Sequence, residues 1–393
     1  MKVLFVMNGV SHGFSGRPNI SGGDVISIEI AKRWAQKGVS IHFLTSSAGK
    51  ELCERLGLKA TYHLSSNSGN PSIWKYIFLA LRSAINAPIS QAKVSFDLVY
   101  SSCEHLYDVL PAFKMKKRNV KWVATVHFVP PPPWTRVKAG KLNAFVYYLN
   151  HMLGAQIIRS NADLVFAVSQ RTALDYVRKL KFDENKVVTV PGGVDYDLIR
   201  NISVSCHEML YDAVFMKRLQ PMKGVFDVIE VWRQVVNASP RAKLLIVGDG
   251  PIDIVKRMRR MISKHRLTEN IEIVGPVYDI KEKISLLARS KLFLLPSYEE
   301  NWAIVIGEAL TAGLPVIAYN LPEIRPIWAE HVIWIPKGDT RSFSDEVVKL
   351  LSNDKYRQMY IDKGTKFTKQ FDWDNIAEKE LELCSRLTGS RFV

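Results

Sequence analysis

Two carboxylates eight positions apart, Glu300 and Glu308, stand in the stretch from Tyr298 to Pro315. The apolar run Leu292-Phe293-Leu294-Leu295 before them, closed by Pro296, reads as a buried strand. Glu300 then falls in the following loop, and Glu308 inside a helix that Gly313 and Pro315 end. A turn from strand to helix presents unpaired backbone N–H groups and a positive dipole end, which suits a phosphate. A carboxylate one or two turns further in accepts two hydrogen bonds at once, which suits sugar hydroxyls. Together they point to a sugar-phosphate compound.

Other residue types fit the same chemistry. Arg218 and Lys223 flank a loop that follows the strand-like Ala213-Val214-Phe215-Met216 and opens a helix at about Val225. A guanidinium fork and an ammonium at a helix start can hold a pyrophosphate, although two solvated charges would look the same. Gly22-Gly23 precedes a helix with Val25, Ile28, Ile30, Ala31 and Trp34, between strands at 3–7 and 41–44. The pair lets a backbone approach a ligand closely, but taken alone it is only a turn. His127 ends the strand Trp122–Val126, where ligands of open parallel sheets bind; a satisfied core histidine is the alternative. Gly275-Pro276-Val277 closes the strand Ile271–Val274 in a turn whose backbone could meet a flat base.

Two motifs are set aside. Val247-Gly248-Asp249-Gly250-Pro251 half-matches a dinucleotide fingerprint, but Asp253 holds the third glycine position and Pro251 interrupts, so a dehydrogenase is rejected. The triplets Asp195-Tyr196-Asp197 and Asp372-Trp373-Asp374 each precede a helix, so N-capping accounts for them and no metal is assigned.

These residues need elements to hold them. The 393 residues suit two domains, expected over 1–200 and 201–370, with a last helix over 371–393. Pro191-Gly192-Gly193 and the polar stretch to about Tyr211 read as the link. A helix is expected over 71–91, with Trp74, Ile77, Phe78, Leu81 and Ile85 on one side. After the stiff Pro130-Pro131-Pro132-Pro133-Trp134 comes a long helix, about Lys138 to Arg159, with Phe145, Tyr148, Leu149, Met152 and Leu153 on one stripe. That stripe, beside Trp134, Arg136, Lys138 and Lys141, suits either a membrane interface or a core.

Charge is unevenly shared. The net charge is +16, and the first 200 residues carry 26 Lys and Arg against 13 Asp and Glu. A basic half implies an anionic partner such as a nucleic acid, an anionic lipid or a phosphorylated substrate, or else a solvated basic surface. The cysteines Cys53, Cys103, Cys206 and Cys384 lack metal-ligand spacing and read as free thiols. No apolar stretch reaches the length of a membrane span, and the first strand is too short for a secretory segment. The expectation is a cytoplasmic protein, soluble or peripheral at the cytoplasmic membrane face.

In this order the motifs resemble glycosyltransferase family 4, the retaining enzymes of GT-B architecture (glycosyl transferases group 1). The resemblance spans essentially the whole chain. It rests on Gly22-Gly23, Thr125-Val126-His127, Val190-Pro191-Gly192-Gly193-Val194-Asp195, Arg218 with Lys223-Gly224, Val247-Gly248-Asp249-Gly250-Pro251, and the Glu300 and Glu308 pair. It implies an α/β fold of two Rossmann-like, doubly wound parallel-sheet domains facing across a cleft. The C-terminal domain would hold most of a nucleotide diphosphate sugar, with no cofactor and no metal. Arg218 and Lys223 would neutralise the leaving diphosphate, a step usually dominated by electrostatics. Glu308 would bind ribose, and Glu300 would orient the sugar. Backbone N–H groups of Trp302, Ala303 and Ile304 would support sugar and phosphate. His127 would contact the sugar from the opposite domain, and Gly22-Gly23 would line the acceptor side of the diphosphate. The last helix would cross back to the first domain. The resemblance further implies front-face attack, with the leaving phosphate taking the acceptor's proton.

The chain departs from the family pattern in three places. Asn301-Trp302-Ala303 stands where relatives usually place glycines, Tyr319-Asn320 where they often have Gly-Gly before Leu321-Pro322-Glu323, and Gly192 where they tend to carry asparagine. The expected function is transfer of a hexose-type sugar to a glycan, lipid-linked or phosphate-linked acceptor, with an anionic membrane surface as a further partner and no specific nucleic acid. The rivals are a sugar-nucleotide epimerase of GT-B fold and a nucleic-acid-binding protein using the basic half. The second lacks any recognised module and leaves the glutamate pair without a role.

Overall fold

A computed structural model of the chain describes residues 1–13, 16–66, 95–116, 120–135, 141–206 and 208–390. The helix expected over 71–91 lies outside the described residues, as do Arg136 and Lys138. The chain divides into two compact units, Met1–Gly192 with Trp373–Val393, and Gly193–Asp372. The first division falls inside the Pro191-Gly192-Gly193 turn, the second inside the triplet Asp372-Trp373-Asp374.

The first unit is built on seven strands, β1 (Lys2–Met7), β2 (Ser40–Ser46), β3 (Thr61–Ser66), β4 (Leu98–Ser101), β5 (Lys121–Val126), β6 (Leu164–Ala167) and β7 (Val187–Thr189). They pair in parallel in the order β3-β2-β1-β4-β5-β6-β7. Such strands are covered on both faces, which is why Val3, Leu4, Phe5 and Val6 are all fully buried and the sequence reads as a continuous apolar run. The order reverses direction between β1 and β4, the place where open α/β sheets take their ligands.

The helix Trp373–Thr388 belongs to this unit. The Trp34 indole donates to the Ala377 carbonyl at 2.9 Å, and Arg33 meets Asp374 at 2.7 Å. Glu380 on the same helix is buried and accepts from the Tyr100 hydroxyl at 3.1 Å. The long helix Lys141–Asn161 leaves Leu142, Phe145, Leu149 and Leu153 exposed by 59, 52, 45 and 47%, with Trp134 at 77%. Tyr148 and Met152 of the same stripe are half-buried, so its apolar side is exposed only in part.

The second unit carries six parallel strands, β8 (Ala213–Met216), β9 (Leu244–Val247), β10 (Ile271–Val274), β11 (Phe293–Leu295), β12 (Val316–Tyr319) and β13 (Val332–Ile335). Their order is β10-β9-β8-β11-β12-β13, with the reversal between β8 and β11. Alternation along each strand feeds two cores. Ala213 and Phe215 join Trp232 and Phe343 on one face, while Val214 and Met216 join Trp302 and Trp328 on the other.

One local expectation is corrected. Asp195 makes no side-chain capping bond to the helix Tyr196–Ser205. That helix is capped from far along the chain, because Asp372 Oδ2 accepts from the Tyr196 N–H at 3.1 Å while Val194 N–H donates to the Phe371 carbonyl at 2.8 Å. A carboxylate that reaches the free N–H from another strand of chain serves as well as a local cap.

Candidate donor site and a second carboxylate cluster

In the second unit the loops after β8 and β11 meet at the switch point. Tyr298 N–H donates to the Met222 carbonyl at 2.9 Å, which ties the two loops together. Gly224, at φ +77°, opens the helix Val225–Ala238, and a Cβ there would sit 1.9 Å from the Pro296 carbonyl oxygen. Only glycine allows both that backbone and that approach. Lys223 is thereby placed against the next loop. Its ammonium donates to the Glu299 carbonyl at 2.6 Å and to Glu300 Oε1 at 3.0 Å.

A second ammonium, that of Lys217, lies 2.9 Å from the same oxygen of Glu300. Burial alone would raise the Glu300 carboxyl, but Lys217 and Lys223 outweigh it and hold the group at about 2. Burial brings Lys217 down to about 8, with Lys223 and Arg218 acting in the same direction and Glu300 opposing. Arg218 itself is exposed and forms no ion pair among the described residues.

Glu308 lies inside the helix Ile304–Ala312 and is 7% exposed. One oxygen is held by Lys283 from the helix Ile280–Ala288. The other, Oε2, is buried and has no hydrogen-bond partner. A buried carboxylate oxygen left this way is rare in folded proteins and marks a place where a donor is expected. Ala303, just before the helix, holds φ +60°, a conformation that costs an L-residue roughly 1–2 kcal/mol. Its helix start has no side-chain cap. The Trp302 ring packs at 5.1 Å from Trp328 and 5.0 Å from Phe371, so its side chain belongs to the core, and its carbonyl accepts from the Trp328 indole at 2.9 Å. Gly275 has open space where a Cβ would stand, and Val277 packs partly against the core that holds Trp302.

The first unit has a corresponding cluster. Glu104, in the loop after β4, is 1% exposed. Its Oε2 lies 3.1 Å from His127 Nδ1, and its Oε1 3.4 Å from His151 Nδ1. Burial would raise this carboxyl; His151 and His127 bring it to about 2 instead. Burial also pushes the adjacent His105 down to about 4. The His127 Nε2 is buried without a hydrogen-bond partner and sits 2.6 Å from where a Cβ on Gly23 would be. Gly22 and Gly23 begin the helix Gly22–Gln36, whose N-cap Ser21 forms a capping box with Asp24.

The structure thus joins Glu300 to Lys223 and His127 to Gly23, and pairs Glu308 with Lys283. Four residues of these clusters escaped the reading of the sequence: Lys217, Lys283, Glu104 and His151. Lys217 stands directly beside Arg218, so a second cation after β8 was the one available signal. Among the described residues no group of three or more His, Cys, Asp or Glu is placed to hold a metal ion.

Two parallel-sheet units of Rossmann type, one of seven strands and one of six, define a GT-B fold. The same fold is seen in Anabaena HepE, solved with UDP and glucose, at a TM-score of 0.74 and 18% identity over 98% of this chain and 100% of that one. Sucrose-phosphate synthase from Thermosynechococcus elongatus gives 0.78 and 16% over 99% of each chain. The profile described as Glycosyltransferase Family 4 matches residues 20–198, and that of Glycosyl transferases group 1 matches 204–367. The chain belongs to glycosyltransferase family 4. Relatives include the phosphatidyl-myo-inositol mannosyltransferase of Mycobacterium leprae, 27% identical over 52% of this chain and 54% of that protein. Another is the N-acetyl-alpha-D-glucosaminyl L-malate synthase of Bacillus anthracis, 23% identical over 87% of this chain and 88% of its own. The match to the mannosyltransferase thus spans about half of its length, and that to an exopolysaccharide phosphotransferase of Streptomyces coelicolor 19%.

Proposed function

We propose that the chain moves a hexose-type sugar, with retention, from a nucleotide diphosphate sugar to a glycan, lipid-linked or phosphate-linked acceptor, without a metal or cofactor. The observation that carries this reading is Glu308, whose buried, unpartnered Oε2 is a ready acceptor for a ribose hydroxyl. Lys223 and Arg218 are the cations for the diphosphate, and the uncapped helix start after Ala303 adds backbone N–H groups. Gly275 and Val277 border the nucleoside base. Glu300 orients the transferred sugar. In the first unit, His127 serves as a hydrogen-bonding group to the sugar, its Nε2 lying unpartnered against Gly23. As the acceptor oxygen bonds to the anomeric carbon, the bond to the diphosphate breaks and the acceptor's proton passes to the leaving phosphate oxygen. The cations then stabilise the charge that develops there.

A screen of nucleotide-sugar hydrolysis tests the reading, since uncoupled hydrolysis reports the donor without its acceptor. One donor is expected to be turned over, and Glu308→Ala and Lys223→Ala to abolish that turnover with the fold intact. Near-normal rates in both variants would sink it.

For the acceptor we propose a substrate at an anionic membrane surface. The exposed stripe Leu142, Phe145, Leu149 and Leu153 with Trp134 is suited to a lipid interface, and the basic first half to its charge. No helix among the described residues is long and apolar enough to cross a membrane. Flotation with vesicles containing anionic lipid should carry the protein up, and Phe145→Ser with Leu149→Ser should release it. Indifference to lipid would count against this surface.

A further inference from the structure

Lys217 and Lys223 share a single oxygen of one buried carboxylate, an arrangement with one cation more than Glu300 alone requires. The two lysines are anchored differently. Lys217 extends β8, where its N–H donates to the Val247 carbonyl at 3.0 Å. Gly248 lies so close that a Cβ there would be 1.9 Å from the Lys217 carbonyl oxygen. Its ammonium has Glu300 as its ion-pair partner among the described residues. Lys223 sits instead on the short turn Pro221–Lys223 that leads into the helix start at Gly224, the place suited to a phosphate.

If Lys223 is to meet a diphosphate, it must loosen its hold on Glu300. Glu300 is 8% exposed, and removing the partner of a buried charge is strongly unfavourable. A second cation already in place removes that obstacle. We propose that Lys217 is the standing counter-ion of Glu300, which frees Lys223 to pass to the donor's diphosphate without leaving a buried carboxylate unpaired. Lys217 is thus a positioning residue that acts through Glu300 and Lys223. The proposal rests on the donor-site reading given above.

The test is calorimetric titration of UDP, GDP and ADP into the full chain, as wild type and as Lys217→Met, Lys217→Arg, Glu300→Gln and the double variant Lys217→Met with Glu300→Gln. The nucleotide that binds the wild type should bind Lys217→Met at least tenfold more weakly, because Lys223 is then the sole partner of Glu300. Lys217→Arg should keep most of the affinity. Removing the carboxylate should release Lys223, so Glu300→Gln should bind at least as well as the wild type. The double variant should stay within about threefold of Glu300→Gln. A double variant as weak as Lys217→Met would show that Lys217 touches phosphate directly and would overturn the proposal. Unchanged affinity in Lys217→Met would overturn it as well. If the wild type binds none of the three nucleotides, the donor-site reading itself fails and this inference with it. Should Lys217→Met not fold, as judged by its melting curve, Lys217→Gln carries the same comparison.

Discussion

Each unit holds a buried carboxylate between two basic side chains in the loop that follows the strand beside its switch point, and the bases differ. Glu104 follows β4 and faces the imidazoles of His127 and His151, whereas Glu300 follows β11 and faces two ammonium groups. In both, burial works against ionisation and the basic neighbours overcome it, bringing each carboxyl to about 2. An imidazole offers two distinct ring nitrogens for hydrogen bonds, and an ammonium group a compact positive charge. The first cluster is therefore suited to oriented hydrogen bonding, the second to holding positive charge beside an anion, in the case of Lys217 below about pH 8. Glu380 supplies the control. It has a tyrosine hydroxyl as its hydrogen-bond partner and only Lys379 to lend positive field, and burial pushes it up to about 8.

The largest effect is expected on turnover. Glu300→Ala should lower nucleotide-sugar hydrolysis by roughly a thousandfold or more, because the transferred sugar would lose the group proposed to orient it. Glu104→Gln should cost only about ten- to a hundredfold, since His127 keeps its place against Gly23. Equal losses would erase the distinction between the clusters.

Next comes pH. Lys217, facing Glu300, Lys223 and Arg218, loses its proton as pH rises through about 8. Nucleoside-diphosphate affinity should fall over that range in the wild type, and the fall should disappear in Lys217→Arg. A titration series from pH 6.5 to 9.5 reads this directly.

The remaining effects are on stability. A carboxyl held at about 2 when folded, against an ordinary value of 4.5, stabilises the fold above pH 4.5 and loses that contribution as pH falls towards 2. Glu104→Gln should therefore be less stable than the wild type at pH 7, by about 1–3 kcal/mol, with the gap closing in acid. For Glu380 the sign reverses. Its folded value lies above the unfolded one, so the native state loses stability as pH rises from about 4.5 through 8. Glu380→Gln should exceed the wild type by about 3–5 kcal/mol at pH 9 and match it near pH 4, as chemical denaturation would show.

Much of this architecture is written locally. Val3 to Val6 and Leu292 to Leu295 are apolar without alternation because parallel strands are covered on both faces, and such runs are legible one by one. Glu308 was legible from its place in a helix just beyond a strand and loop. The partners were not. Lys217 and Glu300 are separated by nearly half of the second unit, and Glu104, in a loop, meets His151 on the helix Lys141–Asn161, so only the folded sheet brings them together. The same holds for Asp372, which caps a helix that begins at Tyr196. The orientation of the Trp302 side chain was not legible either: its ring fills the core against Trp328 and Phe371. Sequence spacing places a residue on an element and is silent about the face to which its side chain turns.

If the second unit binds a ribonucleoside diphosphate through Glu308, the ribose hydroxyls carry part of the affinity. The measurement is the affinity of the nucleoside diphosphate that binds best and of its 2′,3′-dideoxy form, for the wild type and for Glu308→Ala. Loss of the hydroxyls should weaken binding to the wild type by fivefold or more and leave the affinity for Glu308→Ala unchanged. An equal loss in both proteins, or no binding of any nucleoside diphosphate, would contradict it.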